Sequence, residues 1–127
     1  MKLKRILIAV AMVLASISSA ARAQEQNMNY VQVAEIEIDP AQMENYKAAV
    51  TEQIETAIRV EPGVLLLYAV SDKENPTHVR VFEVYASVSA YRSHLETAHF
   101  KKYKTTTADM VKSLKLNVAN PIKLGAK

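Results

Sequence analysis

The sequence predicts one α+β domain in which strands and helices follow in the order β-α-β-β-α-β. Four stretches rich in Val, Ile, Leu and Tyr indicate strands, and apolar residues three and four apart indicate the first of two helical regions. The chain has 127 residues, of which 50% are hydrophobic and 23% are charged. This composition excludes a disordered or collagen-like chain, and this length allows one ordinary domain.

The first 23 residues have the charge and hydropathy order of a secretory signal peptide. Met1–Arg5 carries three positive charges, the 12 residues Ile6–Ile17 are apolar except for Ser16, and small residues lead to Ala21-Arg22-Ala23. The apolar run is shorter than the roughly 20 residues that span a bilayer, which argues against a membrane anchor. We expect cleavage after Ala23, a periplasmic or secreted protein, and no membrane association of the mature chain.

The positions of the charges argue against a nucleic-acid partner. The formal net charge is +3, but Lys2, Lys4, Arg5 and Arg22 all lie in the predicted signal peptide. The remaining chain has 12 basic and 13 acidic residues, a net charge of −1. It also has no Cys, so neither a disulfide nor a lipid linked through Cys is available, and stability must come from packing or assembly.

The mature chain divides into a polar leader at residues 24–29, a domain at residues 30–124 and a short tail at residues 125–127. Tyr30–Ile38 has the composition of a strand. Its Val31 and Val33 share a face with Glu35 and Glu37, whereas Ala34, Ile36 and Ile38 take the other face. Either a bulge lies near the middle of this strand, or both of its faces meet apolar neighbours.

Asp39 and Pro40 are typical of a helix start, and Gln42 stands where a capping box would need it. Apolar residues at helical spacing then form one stripe: Met43, Tyr46, Val50, Ile54, Ala57 and Ile58. The helix ends at the turn Glu61-Pro62-Gly63.

The second half of the domain predicts a hairpin, a helical region and a last strand. The hairpin strands are Val64–Val70 and His78–Ala86. Ser87–His94 and Ala98–Ser113 form one interrupted helix or two short ones, separated near Thr97, and the last strand is Leu114–Leu124, with Pro121 at an edge or a bulge. This order predicts the ferredoxin-like fold, a four-stranded antiparallel sheet with its helices on one face.

The hairpin strands are apolar on both faces, although the helices can cover only one face of the sheet. Val64–Leu67 and Val79–Tyr85 both show this pattern. The second face must therefore meet something apolar, and a second copy of the chain is the usual solution. The sequence predicts a homodimer.

Three segments resemble the antibiotic biosynthesis monooxygenase family, in particular its quinol-monooxygenase-like members. Glu61-Pro62-Gly63 resembles the family's turn after the first helix, and Glu83-Val84-Tyr85 resembles the Glu-x-Trp/Tyr end of its third strand. His94–Tyr103 resembles its H-x-x-T/S-x-H-F/M-x-x-Y segment, which is the most specific of the three. The resemblance covers roughly residues 30–122.

The resemblance implies a dimeric α+β barrel with a pocket between the sheet and the second helical region. It also implies a cofactor-independent monooxygenase, without metal or flavin, that acts on a small aromatic quinol or phenol and on dioxygen. In this chemistry the deprotonated substrate itself reduces oxygen. The protein removes a phenolic proton, stabilises the oxyanion and excludes water.

The candidate catalytic residues are His99, His94 and Glu83, because imidazole and carboxyl groups can take a phenolic proton. The histidines could instead cap the helix break near Thr97, and Glu83 could point outward. The candidate substrate-binding residues are aromatic: Tyr85, Tyr68, Tyr103 and Phe100. Buried tyrosines are, however, more often core residues with a satisfied hydroxyl.

No metal site is predicted. His94 and His99 are five residues apart, about 140° around a straight helix, so they would not share a face. His78 is distant in sequence, and the chain has no Cys. The run Lys101–Lys104 is predicted to be a solvated helix face rather than a site for nucleic acid or anionic lipid.

The resemblance also extends to haem-degrading relatives, which share this fold. In them, the resemblance implies an active site with an Asn on the first strand, a Trp that ends the third strand and a haem-ligating His in the second helical region. This chain has Ile36, Tyr85 and Lys104 at those places, which argues against haem degradation. Two further alternatives remain open. One is a non-catalytic module that binds a small apolar ligand, and the other is a structural domain without a ligand. An ionisable side chain that reaches the pocket would favour catalysis over these alternatives.

Overall fold

The structure is a computed structural model and describes residues 28–127. The predicted signal peptide at residues 1–23 lies outside the described residues, as does most of the predicted leader at residues 24–29. Within residues 28–127, no helix has the length and apolar character needed to cross a membrane.

The described chain forms a four-stranded antiparallel sheet with its helices on one face, which confirms the predicted ferredoxin-like fold. The spatial order of the strands is β2-β3-β1-β4, and every neighbouring pair is antiparallel. The second helical region consists of two helices separated by Glu96 and Thr97. The elements are β1 (Tyr30–Ile38), a 3-10 turn (Pro40–Gln42), α1 (Met43–Val60), β2 (Val64–Ser71), β3 (His78–Tyr85), α2 (Val88–Leu95), α3 (Ala98–Thr107) and β4 (Val111–Ala119).

The two faces of β1 divide as the sequence predicts. Ala34, Ile36 and Ile38 are buried beneath the helices, together with Tyr46 of α1 and Val79 of β3. The strand has no bulge at its middle, and its pairing with β4 shifts register only between Glu37 and Ile38.

The predicted capping box at the start of the first helix is wrong. The Asp39 side chain accepts a hydrogen bond from the Ala41 backbone N–H, and so caps the 3-10 turn that precedes α1. The Asp39 backbone N–H donates to the Met110 carbonyl at 2.8 Å, while the Gln42 side chain accepts from Asn45. The Asp39 backbone N–H is therefore bonded to the residue before β4 and is not free to donate to the Gln42 side chain.

The last helix is shorter than predicted, and the last strand lies earlier in the chain. The helix ends at Thr107 rather than Ser113, after a run of β-branched Thr residues that have low helix propensity. Val111 already pairs with Ile38, and the strand ends at Ala119. The predicted place of Pro121 inside a strand is wrong, because this residue follows the last ladder pair and has no N–H to extend the ladder.

The sheet face that points away from the helices carries both apolar and charged side chains. Its most exposed apolar side chains are Tyr68 at 61%, Val70 at 47% and Phe82 at 41% exposure. On the same face Arg80, the cross-strand neighbour of Val70, pairs with Glu35 at 3.6 Å and with Asp72. No other element of residues 28–127 covers this face.

Candidate active site

A cavity of about 290 Å³ lies between the helix-facing side of the sheet and helices α1, α2 and α3. Most of its wall is aliphatic or aromatic, with Leu67 and Val81 from the sheet and Tyr91, Leu95 and Phe100 from the helices. The polar side chains on the wall are Gln32, Gln53, Glu83, Tyr103, Lys104 and Thr107. A volume of this size suits a ligand of one or two rings, since it is at the small end of the range for small-molecule sites.

Glu83 brings a carboxyl group into this cavity from β3, one of the two inner strands. The carboxyl accepts hydrogen bonds from the Tyr85 hydroxyl at 2.6 Å and from Gln32 Nε2 at 3.1 Å. The Tyr30 hydroxyl in turn donates to Gln32 Oε1 at 3.1 Å, which fixes the orientation of the amide. Burial raises the pKa of Glu83, and the bonds from Tyr85 and Gln32 offset part of that rise.

Tyr103 brings a hydroxyl to the same cavity and shares a hydrogen bond of 2.7 Å with the Tyr46 hydroxyl. Burial raises the pKa of both tyrosines, so both stay protonated at neutral pH. When Tyr46 is the donor in their shared bond, the Tyr103 O–H is available to a ligand in the cavity.

His94 and His99 both contact the carboxylate of Glu61 near the junction of α2 and α3. Glu61 Oε2 lies 2.8 Å from His94 Nδ1 and 2.6 Å from His99 Nε2. Thr97 separates α2 from α3: its hydroxyl accepts from the Phe100 N–H and donates to the His94 carbonyl. The argument that a straight helix holds the two histidines apart is therefore wrong, because the helix is broken between them.

The structure brings only part of the predicted site together. Glu83, Tyr103 and Phe100 line the cavity, and Tyr85 is fully buried beside Glu83. Tyr68 pairs with Phe82 and lies on the opposite face of the sheet, so it does not line the cavity. His94 and His99 do not line the cavity either. His99 instead lines a separate groove of about 320 Å³ between α1 and α3.

The predicted set lacked several polar residues of the site, among them Gln32, Tyr46, Gln53 and Glu61. Gln32 carried a usable signal, because it shares the face of β1 that Ala34 and Ile36 bury. The sequence identified Glu61 only as part of the turn Glu61-Pro62-Gly63. Gln53 lies one position from the apolar stripe of α1 and gave no signal of its own. Of the positions compared with haem-degrading relatives, Ile36 and Lys104 line the cavity, and neither brings an imidazole there.

The described residues form a ferredoxin-like α+β domain with an internal cavity. The family model described as "Antibiotic biosynthesis monooxygenase" matches residues 29–106. The chain belongs to the antibiotic biosynthesis monooxygenase family.

Solved structures agree with this assignment. A candidate antibiotic biosynthesis monooxygenase from Bacteroides thetaiotaomicron is 52% identical, with a TM-score of 0.75, over 78% of this chain and 94% of that one. A candidate monooxygenase from Lactobacillus acidophilus is 30% identical, with a TM-score of 0.71, over 73% of this chain and 44% of that one. A similar candidate from Nitrosomonas europaea is 26% identical, with a TM-score of 0.71, over 76% of this chain and 93% of that one. The search of curated proteins gave no match.

Proposed function

We propose that this protein is an exported, cofactor-independent monooxygenase that oxidises a small quinol or phenol. The observation that carries the proposal is the carboxyl group of Glu83 in an otherwise mostly apolar cavity. Family membership supports oxygenase chemistry, and the signal-peptide pattern of residues 1–23 supports export.

Glu83 is the proposed general base. A carboxylate whose pKa is raised by burial is a stronger base than a solvated one, and so it is better matched to a phenolic proton. The Tyr103 hydroxyl is the proposed donor to the resulting oxyanion, because a neutral donor in a cavity with little water stabilises developing negative charge. The aromatic rings of Tyr91 and Phe100 would pack on the substrate ring.

The proposed reaction uses only the substrate and dioxygen. Glu83 takes the phenolic proton, the oxyanion transfers an electron to oxygen, and the two radicals combine in a carbon–oxygen bond. The resulting peroxide takes up a proton, its O–O bond breaks, and water leaves. One oxygen atom stays in the product as a carbonyl, the other becomes water, and the substrate supplies all four electrons.

We also propose that the protein is a homodimer that pairs through the sheet face that points away from the helices, here called the open sheet face. Tyr68, Val70 and Phe82 are about half exposed in the single chain. The charge of Arg80, on the same face, is already paired within the chain. Burial of these side chains against a second copy would remove apolar surface from water.

The test is oxygen uptake by the mature chain, residues 24–127, with a reduced naphthoquinol and no added metal or flavin. A protein-free sample corrects for autoxidation, and isotopically labelled oxygen reports incorporation into the product. We expect Glu83→Gln to lower kcat/KM by roughly a hundredfold or more. Glu74→Gln, in the exposed turn between β2 and β3, is the matched control and should act like the parent protein.

The outcomes separate the candidate functions. Uptake that Glu83→Gln retains and His99→Ala loses would assign the base to His99 and overturn the role of Glu83. Saturable binding of naphthoquinone without uptake above the control would favour the non-catalytic binding module, which the mostly apolar wall of the cavity also fits.

A further inference from the structure

We propose that Glu61, His94 and His99 form a binding site for a divalent first-row transition-metal ion, with Zn²⁺ the best-matched ion. Their potential ligand atoms, one carboxylate oxygen and two imidazole nitrogens, all lie within 4.8 Å of one another. The site is distinct from the cavity, because none of the three residues lines the cavity.

The three proposed metal-ligand residues come from three separate segments of the chain. Glu61 caps the C-terminus of α1, His94 lies in the last turn of α2, and His99 lies in the first turn of α3. The break at Thr97 turns His99 back toward His94, so that their ring centroids are 6.1 Å apart. The cluster therefore depends on tertiary structure, and an ion held there would join all three helices.

The two distances from the Glu61 carboxylate fit a metal ion after a small outward movement. Bonds of about 2.0–2.1 Å in tetrahedral geometry place neighbouring ligand atoms roughly 3.3 Å apart. The carboxylate oxygen is 2.8 Å and 2.6 Å from the two imidazole nitrogens, as expected while protons rather than an ion join them. Loss of those protons would leave two imidazole lone pairs facing the same carboxylate oxygen.

Gln53 supplies an independent observation that points to an ion. His94 Nε2 lies 3.1 Å from Gln53 Nε2, and among the described residues Gln53 Oε1 is a buried acceptor with no partner. In this arrangement the Gln53 N–H donates to His94 Nε2, and His94 Nδ1 faces Glu61 as the donor. A metal ion on Nδ1 would move that proton to Nε2, and a half-turn of the Gln53 amide would then accept it through Oε1. Metal-bound histidines commonly donate their second N–H to a carbonyl in this way.

The donor set and the access route define the kind of ion. Two imidazoles and one carboxylate suit Zn²⁺ and its neighbours in the first row, whereas Mg²⁺ and Ca²⁺ prefer oxygen ligands. The side chains of Glu61 and His99 are 13% and 15% exposed, against 2% for His94. His99 opens onto the groove between α1 and α3, so an ion can enter there and keep a water ligand on that side.

The test uses the tag-free mature chain, stripped with a chelator and titrated with Zn²⁺ by calorimetry and by thermal unfolding. We expect saturation at one ion per chain and a rise in the unfolding midpoint, since an ion that binds only the folded chain stabilises it. His99→Ala should weaken Zn²⁺ binding by at least about tenfold, as should Gln53→Met, which leaves the three ligands in place.

His78→Ala is the matched control. His78 also pairs with a carboxylate, Glu37 at 3.0 Å, but no second imidazole joins that pair. This variant should bind Zn²⁺ like the parent protein. Absence of saturable binding, or binding that His78→Ala loses and His99→Ala keeps, would overturn the site. Because oxygen uptake by the chelator-treated protein depends on Glu83, this result is separable from the proposed monooxygenase activity.

Discussion

The Tyr85 hydroxyl donates a hydrogen bond of 2.6 Å to the carboxyl group of Glu83, two residues earlier on the same face of β3. Burial of Glu83 raises its pKa, whereas this bond and the one from Gln32 lower it. The ionisation of the proposed base is thus set by opposing influences, and a single substitution can change one of them.

The pH profile of kcat/KM for quinol oxidation is expected to have an acid limb that follows the ionisation of Glu83. Since the carboxylate is the proposed base, kcat/KM should fall as pH drops through the pKa of Glu83, which lies above the ordinary value of 4.5. Tyr85→Phe removes a bond that stabilises the carboxylate, so it should move the acid limb to higher pH. The measurement is kcat/KM against pH for both proteins, and an unmoved limb, or one moved to lower pH, would contradict the assignment.

Glu83→Gln is expected to stabilise the folded protein at neutral pH. The pKa of Glu83 is raised in the folded state, so the folded protein loses stability as pH rises through that pKa and regains it as pH falls. The variant has no such ionisation. Its advantage over the parent protein in urea unfolding should therefore be present at neutral pH and shrink in acid. An advantage that is equal at both pH values would show that the carboxylate is not the cause.

The element order could be predicted because it depends on local patterns. Apolar spacing and turn residues marked every strand and helix, and the period of two along β3 placed Glu83 and Tyr85 on one face. The sheet face on which Tyr68 lies could not be predicted in this way. Leu65–Leu67 is apolar at every position, and the β2–β3 register shifts between Val64 and Leu66, so sequence alone does not say which residues face the helices.

The histidine cluster could not be predicted because it depends on where two helices separate. Thr97 was recognised as a break, but the angle between α2 and α3 is a tertiary property. Glu61 is 33 residues from His94, and no local pattern connects them. No metal site was predicted because two histidines five residues apart do not share a face of a straight helix. His94 and His99 lie on two different helices, so that geometry does not describe them.

Phe82→Glu is expected to convert the proposed dimer to a monomer. Phe82 is 41% exposed on the open sheet face, where a charge buried against a second copy would have no partner. Ile58→Glu is the matched control, because Ile58 is 49% exposed but lies on α1. Size-exclusion chromatography with light scattering reports the masses. A monomeric parent protein, or a Phe82→Glu variant that remains dimeric, would contradict pairing through this face.

Gly63→Ala is expected to destabilise the protein through contact with α2. A Cβ at Gly63 would lie 2.7 Å from the Ala90 Cβ, a distance that requires the helix to move. Overpacking of this kind costs about 1–3 kcal/mol. Because α2 also carries Tyr91 and Leu95 to the cavity wall, the movement should weaken binding of a naphthoquinone as well.

The measurement for this variant is the urea dependence of unfolding, with Gly125→Ala as the control, since nothing lies within 4 Å of a Cβ at that position. Ala90→Gly removes the methyl group that the new Cβ would meet, although a glycine in a helix itself costs about 1 kcal/mol. The double variant should therefore be more stable than the sum of the two single effects predicts. Strict additivity would show that the cost of Gly63→Ala arises in the backbone of the turn and not from its contact with α2.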